Sequence, residues 1–334
     1  MKKENFDKRG LNDGGPDFSS GSGWGLIKDY LLLIKLSLSI MVVFSSVISY
    51  LLAPNVVEYD WTMILLLFAG GMLVTGSANA INQVVEKDTD AMMKRTAKRP
   101  VASGRMSVQE GWAFAIIAGA LGVFILGNYF NWLAATLAAF SLFLYAFIYT
   151  PLKKVSSIAV LMGAVPGALP CLIGWAAGND KLSTGGWILF ALQFFWQFPH
   201  FWAIAWIAHK DYSSVGFKLL PANEGPTKFT AIQTIVYSLL LLPVSLAPYF
   251  IGMCSYDDIK GIISLILIVL ANIFMIGRCI MLYRKMDAGS ARKVMFGSYM
   301  YLPVVLLALL MSKMPPTPKG EFGSFLNLVN SLFI

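Results

Sequence analysis

Apolar residues follow one another in nine long runs along the chain, and polar residues gather between the runs. Each run is near the length of about 20 residues that an α-helix needs to cross a bilayer. Prolines inside some runs are compatible with this, because neighbouring helices can satisfy the freed backbone groups. The pattern therefore predicts nine membrane-spanning helices: Lys28–Ala53, Trp61–Val85, Gly111–Gly127, Trp132–Thr150, Ile158–Ala177, Gly186–Ala208, Phe229–Cys254, Gly261–Leu282 and Val294–Met311.

Polar segments flank this membrane domain, which we place at residues 25–313. Residues 1–24 are rich in Gly and Ser and of mixed charge, a composition that predicts a disordered tail. Residues 314–334 form a second tail, and its stretch from Phe322 to Phe333 is amphipathic enough to lie at a membrane interface. The small residues of the fifth run favour close helix packing, so we expect that span in the middle of the bundle.

The composition excludes an ordinary soluble protein, because 57 % of the residues are hydrophobic and only 13 % are charged, against about 25 % charged in soluble domains. The net charge of +8 reflects Lys and Arg in the loops of one side. The positive-inside rule places those loops and the N-terminus in the cytoplasm. The excess of basic residues is therefore explained by membrane topology, and it predicts no nucleic-acid partner. Acidic residues within the first 24 argue against a mitochondrial transit peptide and favour a bacterial inner membrane.

Charge is densest directly after the second run. Asn82, Glu86 and Asp90 are spaced by four, so on a continuous helix they lie about one turn apart along one stripe. Three oxygen-bearing side chains on one stripe can converge on a hard cation such as Mg²⁺. The spacing therefore indicates a candidate metal site at a cytoplasmic helix end.

A basic cluster follows the acidic stripe. It comprises Lys94, Arg95, Lys98 and Arg99. Acids followed by cations are the pairing expected for a magnesium diphosphate, since both metal and cations neutralise phosphate oxygens. The alternative is a membrane helix end whose solvated charges only hold its topology. Lys153 and Lys154, after the fourth run, could reach the same anion or serve topology alone.

The sixth run carries polar side chains where they are costly in a membrane. Gln193, Gln197 and His200 recur at intervals of four and three, on one helix face, and this predicts the lining of a pocket. The run is followed by Asp211 and Tyr212. Because the second and sixth runs cross in the same direction, we expect their charged ends to meet at one site.

These motifs resemble those of the UbiA-type intramembrane prenyltransferases, in particular the members that prenylate haem. The spacing Asn82-x3-Glu86-x3-Asp90 is similar to the first aspartate-rich motif of the family, with Glu at the middle position. Other matching stretches are Asp90–Pro100, Tyr149–Lys154, Trp196–Phe201, Asp211–Tyr212 and Leu220–Pro221. In the second motif of the family, Asp-x3-Asp, another aspartate stands four residues after the first. The chain departs from this motif, because the residue four positions after Asp211 is Val215. The similarity covers roughly residues 28–311.

The resemblance implies a nine-helix all-α fold and transfer of the farnesyl group of farnesyl diphosphate to a vinyl carbon of haem B. A haem A synthase is then a candidate partner. The implied Mg²⁺ ligands, which would also be the catalytic residues, are Asn82, Glu86, Asp90 and Asp211. The implied diphosphate-binding residues are Lys94, Arg95, Arg99, Lys153 and Lys154. The implied substrate pocket includes Tyr149, Gln197, His200 and Tyr212, with His200 either contacting haem or serving as a satisfied polar residue of the wall.

Three alternatives stay open at this point. A UbiA-type enzyme acting on an aromatic, quinone-precursor or chlorophyllide acceptor is one, although Met93–Pro100 and Trp196–Phe201 favour haem. A secondary transporter is another, but transporters place their binding residues near the bilayer midplane, whereas the charges here gather at one face. A purely structural membrane subunit would have little use for two acid-bearing loops.

Overall fold

The structure, a computed structural model, describes residues 23–222 and 225–314, and these residues are almost all helical. The α-helices are α1 (Gly23–Leu33), α2 (Leu36–Leu52), α3 (Trp61–Val85), α4 (Lys87–Met92), α5 (Val108–Tyr129), α6 (Trp132–Phe143), α7 (Thr150–Leu152), α8 (Ile158–Asn179), α9 (Thr184–Ile207), α10 (His209–Ser214), α11 (Lys228–Phe250), α12 (Ile259–Lys285) and α13 (Ala288–Met311). A π-helix, Leu144–Tyr149, lies between α6 and α7. Most of the two predicted tails falls outside the described residues, although Gly23 and Trp24 already belong to α1.

The prediction of an all-helical, multi-span bundle is confirmed. Eight helical segments of the described residues are long and apolar enough to cross a membrane, and α1 with α2 makes a ninth if this bent pair is one span. The two helices meet at an angle of 51°. The count of nine therefore depends on the bent pair, and the cytoplasmic position of the N-terminus stays a prediction.

Side-chain caps fix where several of the helices begin. Asp60 accepts hydrogen bonds from two backbone N–H groups of α3, and Ser107 with Glu110 forms a capping box at the start of α5, as the pattern S-x-x-E predicts. Asp287 caps α13, and the hydrogen bond from the Ser290 N–H holds the pKa of this carboxyl below its usual range. Such caps satisfy N–H groups that have no partner inside the helix.

Helix α8 lies in the middle of the bundle, as its small residues predict. It packs against α2, α6 and α9 and is the most buried of the eight long apolar segments described. A Cβ atom at Gly174 would collide with the Ser46 carbonyl of α2, so the two backbones are in direct contact there. This packing brings α2, α6 and α9 into contact with one central helix.

The two ends of the bundle are joined differently. At one end, the Lys218 N–H donates to the Lys153 carbonyl at 2.8 Å, so the segments after α7 and α10 meet. At the other end, Lys313 Nζ donates to the carbonyl oxygens of Leu51, Ala53 and Val56 at 2.6–2.9 Å. The ammonium of Lys313 thereby ties the end of the last helix to the end of α2.

Candidate active site

The acidic stripe lies across a helix break rather than on one continuous helix. Helix α3 ends at Val85, Glu86 has φ −95° and ψ 14°, and α4 begins at Lys87. The stripe was predicted for a continuous helix, and the structure instead has a break at Glu86, directly after the predicted end of the span at Val85. The spacing is nevertheless kept, because the N–H of Glu86 bonds to the Asn82 carbonyl and the N–H of Asp90 bonds to the Glu86 carbonyl. All three motif side chains are buried within one short segment.

Both carboxylates of this segment are buried and form ion pairs with residues from other parts of the chain. Glu86 Oε1 lies 2.8 Å from Lys153 Nζ, and Asp90 Oδ2 lies 2.6 Å from Arg99 Nη1. Burial strengthens such pairs relative to water, although desolvating the charges opposes part of this gain. The structure thus brings together four of the residues that the sequence assigned to metal and diphosphate binding.

Lys35 is a site residue that the sequence analysis missed. Its Nζ donates to Asn82 Oδ1 at 3.2 Å, and the residue lies at the break between α1 and α2 with φ 49°, in the left-handed region. The sequence did carry a signal, since a lysine inside an otherwise apolar run is costly in a membrane and usually has a partner. Lys35 lies inside the predicted span Lys28–Ala53, whose residues are mostly apolar, and the span as a whole indicated only a membrane helix.

Two side-chain amides of α3 stabilise the break between α1 and α2. Gln83 Nε2 donates to the carbonyls of Leu32 and Leu33 at 3.0 and 2.9 Å, and Asn79 Nδ2 donates to the carbonyl of Ile34 at 3.0 Å. Carbonyls that lose their helical partner at a break need another donor when they are buried. The amide side chains of α3 therefore stabilise the conformation that carries Lys35 into the site.

The π-helix Leu144–Tyr149 precedes Lys153, where a regular end of the fourth span was expected. Short π-helical turns inside helices often occur at functional sites. The Tyr149 ring packs against Gly163, where a Cβ would lie 2.6 Å from the ring, and its centroid is 4.5 Å from Lys153 Nζ. Lys153 is buried and Lys154 is exposed. The structure therefore distinguishes the environments of two lysines that were equivalent in the sequence.

The basic segment after α4 turns back over the site. Thr96 Oγ1 donates to the Asp90 carbonyl at 2.9 Å, which fixes the turn. Arg95 donates to the Tyr212 hydroxyl, and its guanidinium carbon lies 5.0 Å from the centroid of that ring. This contact joins the basic segment to α10. Lys94 is exposed, and no salt bridge to it is found in the described part of the chain.

Asp211 lies next to Tyr212 in α10, at the edge of the site. Its side chain is half-buried, and within residues 23–222 and 225–314 its carboxylate makes neither a hydrogen bond nor a salt bridge. The expected meeting of the two charged helix ends is therefore seen as the contact between Arg95 and Tyr212. A metal-ligand role for Asp211 stays a prediction.

The polar residues of α9 are buried on one face, as their spacing predicts. Gln193 Nε2 donates to the Gly167 carbonyl at 2.8 Å, and Gln197 Nε2 donates to the Ala164 carbonyl at 3.1 Å, so both amides join α9 to α8. His200 Nδ1 lies 2.8 Å from Ser298 Oγ of α13. Their place in a substrate pocket stays a prediction.

The polar atoms of the site fit a magnesium ion. Asp90 Oδ1 is buried without a hydrogen-bond partner among the described residues, and an unpartnered buried carboxylate oxygen is costly. Carboxylate and amide oxygens are hard donors of the kind that Mg²⁺ prefers. No group of three or more His, Cys, Asp or Glu side chains that could hold a metal ion is found in the described residues.

Comparison with known proteins gives a family and several relatives. Residues 42–303 match the model of the UbiA prenyltransferase family. A protein of Cytophaga hutchinsonii named protoheme IX farnesyltransferase is 42 % identical over 288 residues, which cover 85 % of this chain and 97 % of the relative. A mitochondrial protoheme IX farnesyltransferase of Arabidopsis thaliana is 35 % identical over 313 residues, which cover 94 % and 71 %.

Solved structures are similar in fold. A structure of digeranylgeranylglyceryl phosphate synthase has a TM-score of 0.68 at 23 % identity, covering 86 % of this chain and 98 % of its own. A UbiA homolog from Archaeoglobus fulgidus bound to GPP and Mg²⁺ has a TM-score of 0.64 at 14 % identity, covering 84 % and 99 %. At these identities the likeness shows that the helical bundle is shared.

Proposed function

The chain belongs to the UbiA prenyltransferase family, and from this we propose that it transfers the farnesyl group of farnesyl diphosphate to a vinyl group of haem B. The products would be diphosphate and haem O, the farnesylated hydroxyethyl haem used by terminal oxidases. The single observation that carries the proposal is the pairing of three buried side chains, Asn82, Glu86 and Asp90, with the cations of Lys35, Lys153 and Arg99 at one end of a membrane bundle. The haem acceptor is supported by the names of the relatives.

The cations of the site would bind the diphosphate. Lys35, Arg99 and Lys153 each have a polar partner in the acidic segment, and a diphosphate between them would offer more negative charge than that partner does. Charge-assisted hydrogen bonds to phosphate oxygens are about twice as strong as neutral ones. Three exposed cations would act at the edge of this site: Lys94, Arg95 and Lys154.

Asn82, Glu86, Asp90 and Asp211 would hold Mg²⁺, which when bound supplies Lewis-acid neutralisation of the diphosphate oxygens. In the transfer, the bond between farnesyl C1 and the diphosphate oxygen breaks and its electron pair leaves with the diphosphate. Lys153 and Arg99 would stabilise that leaving group as its charge develops.

The acceptor completes the reaction. The π electrons of the haem vinyl group form the new carbon–carbon bond to farnesyl C1, and hydroxide from water adds to the other vinyl carbon while its proton is released. The apolar bundle around the site would keep water from reaching the farnesyl cation before the vinyl group does. Tyr149, Gln197, His200 and Tyr212 are the residues that we assign to the acceptor pocket.

The cellular setting follows from charge and chemistry. The loops that carry the site are rich in Lys and Arg, which the positive-inside rule assigns to the cytoplasm. We infer a bacterial inner-membrane enzyme whose site opens to the cytoplasm. An enzyme that oxidises haem O further, a haem A synthase, would take the product and is the candidate protein partner.

The proposal can be tested in membranes of a host that lacks its own haem O synthase. Haem is extracted and analysed by mass spectrometry after expression of the unaltered chain, of Asp90→Ala, or of Asp88→Ala, an exposed acid two residues away. We expect farnesylated hydroxyethyl haem from the unaltered chain and from Asp88→Ala, and none from Asp90→Ala. If the unaltered chain is well expressed and makes none, the haem acceptor is wrong, and the same membranes should be assayed with farnesyl diphosphate and quinone precursors.

A further inference from the structure

The orientation of one buried histidine suggests how the acceptor is held. We propose that His200 Nε2 ligates the iron of the haem substrate while the vinyl group reacts, and that Ser298 is the positioning residue that fixes the histidine tautomer. This inference rests on the proposed function, because it takes haem as the acceptor.

The tautomer follows from the hydrogen bonds of Ser298. A serine hydroxyl has one hydrogen to donate, and Ser298 Oγ donates it to the Met295 carbonyl at 2.6 Å. The same oxygen lies 2.8 Å from His200 Nδ1, so the hydroxyl must accept there and Nδ1 must carry the hydrogen. In a neutral imidazole the other nitrogen then has a free lone pair. His200 Nε2 is therefore a free acceptor, and no hydrogen bond to it is found among the described residues.

The ring is held firmly in this orientation. Trp196 stacks on it with centroids 5.0 Å apart and planes 12° apart, and Tyr299 meets it edge-on at 4.8 Å. Trp196 is itself anchored, because its Nε1 donates to the Ser298 carbonyl at 2.8 Å. Histidines that ligate metals commonly donate their second ring N–H to a neighbouring group, which sets ring direction and tautomer. The hydrogen bond from His200 to Ser298 has this form.

The iron is a better partner for this nitrogen than a haem propionate. A propionate oxygen is an acceptor and would need a hydrogen on Nε2, which the tautomer places on Nδ1 instead. The ring is 6 % exposed and forms no ion pair with a described carboxylate, so burial favours the neutral imidazole. A neutral imidazole with one free nitrogen is the usual histidine ligand of haem iron.

His200 also belongs to the same end of the bundle as the diphosphate site. His200 lies about two turns before the end of α9 at Ile207, and α10 follows directly. Arg95 in turn contacts Tyr212 of α10. A haem bound through His200 would therefore lie near the end of α9 that leads to the contact between Tyr212 and Arg95.

The chain supplies its own control, since His209 is its only other histidine. The His209 ring lies beside Gly225, where a Cβ would be 2.6 Å from its Nε2. The experiment is a titration of the purified full-length protein in detergent with ferric haem B. Optical absorption and electron paramagnetic resonance then report the axial ligand directly, and turnover is not needed.

We expect the unaltered protein and His209→Ala to give the same histidine-ligated spectrum. His200→Ala should lose that spectrum and regain it when imidazole is added. Ser298→Ala should keep it but bind haem about 10-fold more weakly, in line with the loss of an outer partner of a metal ligand. Thermal unfolding of each variant shows whether it has folded, and His200→Gln, which keeps a polar side chain of similar size, replaces His200→Ala if that variant does not fold.

Two outcomes overturn the assignment in different ways. If His200→Ala or His200→Gln is folded and binds haem with an unchanged spectrum, His200 is not the ligand, whereas haem O production by the unaltered chain still supports the proposed function. If the unaltered protein neither binds haem nor produces haem O in membranes, the proposed function itself fails, and the inference fails with it.

Discussion

Lys153 Nζ lies 2.8 Å from Glu86 Oε1, and only 8 % of each side chain is exposed. The lysine follows the π-helix, and the glutamate occupies the break between α3 and α4, so the contact joins two irregular points of the bundle. A buried pair of this kind is neutral as a unit, but each partner is costly once the other is removed. The two charges therefore have both a structural and a chemical role, and substitutions can separate them.

Lys153→Met should lower farnesyl transfer by about 10²–10³-fold, the usual effect of removing one group that stabilises a developing anion. It should also lower the free energy of unfolding by about 3–5 kcal/mol, because Glu86 is left charged and buried. The double variant Lys153→Met/Glu86→Gln should recover most of that stability but none of the activity. Turnover in membranes and thermal unfolding in detergent measure the two effects.

Lys154→Met is the matched control for that prediction, since Lys154 is adjacent and exposed. Because Lys154 would act only at the edge of the diphosphate site, this substitution should lower activity far less than Lys153→Met does. Equal losses in the two single variants would show that the buried pair has no special part in the reaction.

Asp90→Asn should abolish most activity and raise the Mg²⁺ concentration needed for what remains. The substitution removes a fully buried carboxylate, which now bonds to Arg99 at 2.6 Å and has one oxygen without a partner among the described residues. Chelation with EDTA should stop the unaltered enzyme, and added Mg²⁺ should restore it. Asp88→Asn, at an exposed acid, should keep the normal Mg²⁺ dependence. An unchanged Mg²⁺ profile for Asp90→Asn would exclude this carboxylate as a ligand.

Lys35→Met and Gln83→Leu should weaken the same step by a shared route. The first removes the ammonium that bonds to Asn82, and the second removes the donor to the Leu32 and Leu33 carbonyls that hold the break. Because Gln83 acts on Lys35 through that break, the losses in kcat/KM should be less than additive in the double variant. Lys28→Met and Gln109→Leu, at exposed positions, should have little effect, and fully additive losses would contradict the coupling.

Lys313→Met should lower thermal stability without changing the chemistry. The substitution leaves the carbonyls of Leu51, Ala53 and Val56 without their donor, at a cost of about 1–3 kcal/mol for each buried acceptor that finds no other partner. Partial burial lowers the pKa of Lys313 to about 8, so the ammonium is still protonated at pH 7. The measurement is the melting temperature of Lys313→Met, compared with that of Lys260→Met, a substitution of an exposed lysine. Equal melting temperatures would show that the hydrogen bonds of Lys313 do not stabilise the fold.

The long helices were predictable because hydropathy is a local property. The central position of α8 also followed from its composition, since small residues let backbones such as those at Gly174 and Ser46 touch. The break at Lys35 was not predictable in the same way. Its carbonyls are satisfied by Asn79 and Gln83, and that compensation depends on tertiary contacts between residues far apart in sequence.

The site was predictable in part. The spacing of Asn82, Glu86 and Asp90 identified a cluster, but a spacing of four favours a continuous helix, so the break at Glu86 could not be seen. The choice between Lys153 and Lys154 depends on how the π-helix turns the chain, which residue type alone does not determine. The sequence pattern shows which residues can contribute to the site, whereas the fold determines which of them contact one another.

The pairing of Glu86 with Lys153 and of Asp90 with Arg99 also has a consequence for the order of events in a catalytic cycle. Each carboxylate is already neutralised by a cation of the chain, so a metal ion arriving alone would displace a positive charge with nowhere for that charge to go. A diphosphate arriving alone would meet two carboxylates at close range. If the site uses Mg²⁺, Lys153 and Arg99 would be free to move from the carboxylates to the phosphate oxygens only when metal and diphosphate enter together, and they would return to Glu86 and Asp90 when both have left.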